Sequence, residues 1–118
     1  MDIEAFRKFC LSQKGVSEEF PFDEHVLVFK VMGKMFAATN LNNEDFTVNL
    51  KCDPEKAILL RDEYEDIQPG FHMNKKHWNT VFFEASLDNK MLKELISHSY
   101  DCVCSKLPKK DKAILEHL

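Results

Sequence analysis

The segment from His25 to Thr39, HVLVFKVMGKMFAAT, constrains this chain more than any other. Its two halves are rich in valine, phenylalanine and other apolar residues that favour strands, and Gly33-Lys34 divides them with a glycine-first pair suited to a type II′ turn. Two antiparallel strands joined by a tight hairpin are therefore predicted. A third run, Phe46 to Lys51, alternates with period two: Phe46, Val48 and Leu50 point to a core, and Thr47, Asn49 and Lys51 to water. Trp78 to Glu84 makes a fourth strand. There Trp78, Thr80 and Phe82 share one face and Asn79, Val81 and Phe83 the other.

Helices surround these strands. Asp2 is placed to cap a helix carrying Ile3, Phe6, Phe9 and Cys10 on one face, and Gly15 with Pro21 marks its exit and a following loop. In CDPEKAILLRDEY, Asp53 is the N-cap, Pro54 the first helical residue and Glu55 a first-turn acid. A long helix starts near Ser86 or Asp88, with Leu92, Leu95, Ile96, Ser99, Cys102 and Val103 on one stripe. Pro108 ends it and opens a short terminal helix. With 118 residues and 44% hydrophobic composition, residues 1–118 read as a single domain. The expectation is an α+β fold, an antiparallel sheet of about four strands packed against helices.

Charge and cysteine usage narrow the function classes. Sixteen basic and twenty acidic side chains give a net charge of −4, so there is no global basic footprint for nucleic acid and a binder needs a local patch. No apolar run approaches the roughly 20 residues of a membrane span, and Met1 to Leu11 mixes acids among its apolar residues. No membrane partner and a cytoplasmic location are expected. Cys10, Cys52, Cys102 and Cys104 read as reduced structural thiols. On a helix Cys102 and Cys104 point about 200° apart, which argues against a metal or redox pair.

Catalytic signatures are absent: there is no G-x-S-x-G elbow, glycine-rich phosphate loop or H-E-x-x-H helix. His72 and His77 form an H-x4-H pair with no carboxylate or thiol beside it. Glu18, Glu19, Asp23 and Glu24 crowd one loop and read as a solvated surface, so no metal and no cofactor are expected.

The segment PGFHMNKKHWNTVFF, Pro69 to Phe83, lies within an acid-free stretch, Ile67 to Phe83, of an acidic chain. Asn74, Lys75, Lys76 and His77 offer donors to phosphate oxygens, and Trp78 offers a stacking face. The same residues also have a structural reading, in which Trp78 plugs the end of the sheet and Asn74 caps a turn.

Five blocks, KMFA (34–37), NLKCDPE (49–55), PGFHMNKKHWNTV (69–81), HSYD (98–101) and KLPKK (106–110), resemble in order and spacing the signature blocks of the MmcQ/YjbR family. Phe71 departs from them, standing where that pattern has tyrosine. The resemblance implies a frataxin-like architecture and a non-enzymatic, DNA-binding role of double-wing type, with double-stranded DNA as partner; the sequence leaves the oligomeric state open, a monomer being the favoured expectation. The matching positions that would contact DNA are Lys34, Lys51, His72, Asn74, Lys75, Lys76 and His77, with Trp78 beside them. Frataxin-like proteins meet iron on acidic ridges, but here the early acids lie in a loop rather than in a row along the first helix. The alternative is a protein- or small-ligand-binding module with the Trp78 region lining its site.

Overall fold

The computed structural model describes residues 1–118. Its elements run α1 (Ile3–Leu11), β1 (Val16–Glu19), β2 (Val26–Val31), β3 (Lys34–Asn40), β4 (Thr47–Lys51), α2 (Pro54–Glu63), β5 (Ile67–Pro69), β6 (Trp78–Phe82), α3 (Asn89–Ser105) and α4 (Lys109–Glu116). Three helices start on aspartate: Asp2 accepts from the Ala5 N–H at 2.9 Å, Asp53 from Lys56 at 3.2 Å and Asp88 from Met91 at 2.8 Å. Each cap satisfies a backbone donor the helix itself leaves free. No helix is long and apolar enough to cross a membrane.

The six strands form one antiparallel sheet in the order β1-β2-β3-β4-β6-β5. One face carries Leu27, Phe29, Val31, Val48, Leu50, Val81 and Phe83 into a single core with Phe6 and Cys10 of α1 and with Leu92, Leu95, Ile96 and Val103 of α3. Phe6 lies edge-on to Phe29, Phe46 and Phe83, with ring centroids 5.2, 5.7 and 5.3 Å away. In β3 the register skips between Ala37 and Met35, a bulge that sends both Phe36 and Ala37 into the core. Ser99 of α3, fully buried, mends the interrupted ladder: its hydroxyl donates to the Phe36 carbonyl and accepts from the Lys51 N–H at 2.8 Å.

The sheet has six strands rather than about four. The two additional ones, β1 (VSEE) and β5 (IQP), are edge strands of four and three residues. Edge strands tolerate charge and proline because one side of their backbone needs no partner, so neither shows the alternation that marks β4. The hairpin turn also differs from the predicted Gly33-Lys34. Lys34 already pairs with Val31, and the central residues are Met32 (φ 49°) and Gly33 (φ 80°), both left-handed as a type I′ turn requires. The second face is not uniformly wet either: Thr47 is buried beside Asn43, and Asn49 is half-buried where the segment after Gly70 folds back across it.

Candidate nucleic-acid interface and the open sheet face

Antiparallel strands give the sheet two ends, and the connections alternate between them. One end gathers residues 20–25, 41–46, 64–66 and 83–88, which carry Asp23, Glu24, Glu44, Asp45, Glu65, Asp66, Glu84 and Asp88 and no lysine or arginine. The opposite end gathers the α1–β1 connection with Lys14, the β2–β3 hairpin with Lys34, the end of β4 with Lys51, the 74–77 turn with Lys75, Lys76 and His77, and the α3–α4 connection with Lys106. The only acid in those connections is Asp53, occupied as the cap of α2. An acidic chain thus presents a basic pole.

Cross-strand pairing sets Lys51 opposite Trp78, and the Cys52 N–H donates to the His77 carbonyl at 2.8 Å, so β4 and the 74–77 turn end side by side. Lys34 and Lys76 are exposed there; Lys51 and His77 are half-buried. Asn74 and Lys75 are committed to the turn itself. The Asn74 Oδ1 accepts from the Lys76 and His77 N–H groups at 2.9 and 3.3 Å, and Lys75 Nζ donates to the Gly70 carbonyl at 2.8 Å. Arg61 of α2 clamps the turn from the helix side, donating to the Lys75 carbonyl, to the Trp78 carbonyl at 3.2 Å and to Asn79 Oδ1 at 2.6 Å. Trp78 is only 9% exposed, with Gly70 against it; a Cβ at Gly70 would lie 2.9 Å from both the Trp78 Cβ and its carbonyl oxygen. The indole therefore offers no open stacking face.

His72 parts company with this cluster. From Gly70 the chain runs over the open sheet face, pinned by a closed ring of hydrogen bonds. The Phe71 N–H donates to Thr80 Oγ1 at 2.8 Å, the Thr80 hydroxyl donates to Asn49 Oδ1 at 2.5 Å, and Asn49 Nδ2 donates to the Phe71 carbonyl at 3.1 Å. His72 follows with φ 59°, a left-handed conformation costing a non-glycine residue about 1 kcal/mol. Between this segment and Phe22 of the 20–25 loop lies a groove of about 290 Å³, lined also by Val26, Met35, Ala38, Asn40, Asn49 and Met73. A contiguous hollow of about 320 Å³ extends past Asn43 and Thr47. Phe22 is 70% and Phe71 43% exposed. The groove was not legible in the sequence; its one local trace is Pro21-Phe22, an apolar pair within an acidic loop.

The early carboxylates are dispersed among separate partners. Glu18 holds Arg7 and Glu19 holds Lys30, while Asp23 accepts from the His25 and Val26 N–H groups. The Arg7 guanidinium keeps the Glu18 carboxyl below the usual range. All four cysteines are free; burial pushes the Cys52 thiol up to about 11 and raises the other three, so none is an activated nucleophile.

His98 links α3 to the start of α2, accepting the Asp53 N–H on Nε2 at 3.1 Å. Burial first, then Lys56, holds its pKa below the ordinary 6.5. The folded protein thus keeps His98 neutral where the unfolded chain already takes up a proton. Its contribution is complete above about pH 6.5 and is lost as pH falls toward the lower folded value. His98→Gln keeps an acceptor and removes the titration, so its urea midpoint should fall less than that of the wild type from about pH 7.5 to 5.5. Parallel pH profiles would refute the assignment.

The fold defines a two-layer α+β domain with helices on one sheet face, a grooved second face and a basic pole. The particular family follows from comparison: the YjbR family model matches residues 11–102, and the chain belongs to that family. It is 36% identical over 110 residues to the uncharacterized protein YbdF of Escherichia coli O157:H7, covering 92% of this chain and 89% of that one. It is 30% identical to the uncharacterized protein YjbR of Escherichia coli K12 over the full length of both. Its fold is similar to that of the Deinococcus radiodurans protein DR2400, a DUF419 domain, with TM-score 0.89, 36% identity and coverage of 97% of this chain and 87% of that one. It is also similar to a Pseudomonas syringae protein with TM-score 0.75, 25% identity and coverage of 86% and 98%.

Proposed function

We propose that this protein is a non-enzymatic DNA-binding protein that contacts phosphate through its basic pole, with Lys34, Lys51, Lys76 and His77 as the contacting side chains. The observation that carries this reading is the segregation of charge. Lysines populate the connections at one end of the sheet, and the acids of the opposite connections are a sheet-length away, beyond effective cancellation at physiological ionic strength. Asn74 and Lys75 shape the turn that presents Lys76 and His77, and Trp78 anchors it from below. A cytoplasmic, monomeric protein without cofactor or metal goes with this reading.

Binding of a labelled duplex, followed by anisotropy, should weaken steeply as salt rises. Each lost phosphate contact lowers the slope of log K against log salt by about 0.9, so Lys34→Ala, Lys51→Ala and Lys76→Ala combined should flatten it by two to three units, roughly. Absence of any binding at low salt ends the proposal, and so does a slope the triple variant leaves unchanged.

A further inference from the structure

The groove on the open sheet face runs between the two poles, from the Phe71 segment to the 20–25 loop, and differs from the basic pole in chemistry. Neither it nor the contiguous hollow is lined by a lysine, arginine, aspartate or glutamate. Its floor is Ala38 and Met35, its opposite walls are the exposed rings of Phe22 and Phe71, and Asn49 and His72 supply polar edges. Asn49 spends one amide hydrogen on the Phe71 carbonyl and one lone pair on the Thr80 hydroxyl, which fixes its orientation and leaves a second donor and a second acceptor site. Such a lining suits a flat, uncharged group with hydrogen-bonding edges and does not suit a phosphate.

Position along the strands supplies the second constraint. Asn49 and Lys51 lie on the same face of β4, two residues and about 7 Å apart. Lys76 ends the loop that Phe71 begins. A neutral aromatic-walled groove with a lysine one nucleotide-length away matches a base attached to its own phosphate. In a duplex both faces of a base are covered by its stacked neighbours, so only an unpaired base can present a face to Phe22 or Phe71.

Resting on the DNA-binding reading above, we infer that the groove receives one unpaired base of single-stranded DNA, stacked on Phe71 or Phe22, while Lys51 and Lys76 hold the adjoining phosphates. The protein then favours single strands, or locally opened duplex, over paired DNA.

The test uses the whole protein with a fluorescent oligothymidylate of about 12 nucleotides and a blunt duplex of the same length, at one salt concentration. The oligothymidylate is expected to bind about tenfold more tightly than the duplex. Phe22→Ala should weaken it by about tenfold while leaving duplex affinity within about twofold, since a stacked base is typically worth that much. Phe22 is 70% exposed, so the variant should fold, checked by an unchanged melting temperature. Phe71→Ala gives the same test from the opposite wall. If single strand and duplex bind alike and neither phenylalanine variant moves either, the groove inference falls, while salt- and lysine-dependent binding leaves the basic pole standing. If neither DNA binds at low salt, both fall. If thymidine monophosphate binds as tightly as the oligomer, the groove is a free-nucleotide site and the single-strand inference is overturned.

Discussion

Phe6→Ala is expected to lower the unfolding free energy by about 3–5 kcal/mol, the range for deleting a fully buried phenylalanine. Phe6 is 0% exposed, and its ring is the hub of the edge-to-face group with Phe29, Phe46 and Phe83. Those three partners come from β2, the residue before β4 and the residue after β6, so one side chain ties together three parts of the sheet. α1 buries only Phe6 and Cys10 fully, and a helix of nine residues has little stability of its own. Losing the ring should therefore loosen α1 as a unit as well as open a cavity. Urea unfolding measures the total, and early amide exchange across residues 3–11 would show the helix detaching. A loss below about 1 kcal/mol would mean the aromatic group collapses to fill the gap and is not the hub described.

Thr80→Val tests what holds the loop on the open face. The substitution preserves shape while deleting a hydroxyl that is 0% exposed and that both accepts from the Phe71 N–H and donates to Asn49 Oδ1. Two part-buried polar groups lose their partner at once. At about 1–3 kcal/mol for each unsatisfied group, partly relieved by water entering from the groove, a loss of about 2–4 kcal/mol is expected. The spectroscopic signature is more specific than the stability change. Trp78 is the only tryptophan and lies beneath Gly70, so a lifted loop should shift its emission to the red. Thr80→Ser retains the hydroxyl and should behave as wild type. An unshifted Trp78 spectrum in Thr80→Val would show that Arg61 and Lys75 suffice to hold the loop.

Much of the architecture was legible because it rests on local chemistry. Asp2, Asp53 and the alternation Phe46 to Lys51 each announce an element through interactions within a few residues, and the two faces of β6 divide as strand geometry demands. β1 and β5 were not legible: four polar-rich residues and a three-residue run ending in proline become strands only because β2 and β6 offer an unpaired edge. The turn moved from Gly33-Lys34 to Met32-Gly33 for a similar reason. Register in β2 and β3 is set by the core positions of Leu27, Phe29 and Ala37 and by the bulge at Phe36, and the turn takes whichever two residues remain.

For the candidate site the division is sharper. From sequence, Lys34, Lys51, His72, Asn74, Lys75, Lys76, His77 and Trp78 formed one candidate surface, with a structural reading open for Asn74 and Trp78. Folding gives them different tasks: Asn74 and Lys75 bond to the turn, Trp78 is enclosed, and His72 is carried over the sheet.

The sequence by itself determined the helices, the four inner strands, the core face of β4 and the order in which acidic and basic segments follow one another. Only the tertiary structure decided that those segments separate into two poles and that Phe22 meets Phe71 across a groove. Caps and alternation act over a few residues, whereas an antiparallel sheet sends successive connections to opposite ends, turning the order of charge along the chain into a separation in space.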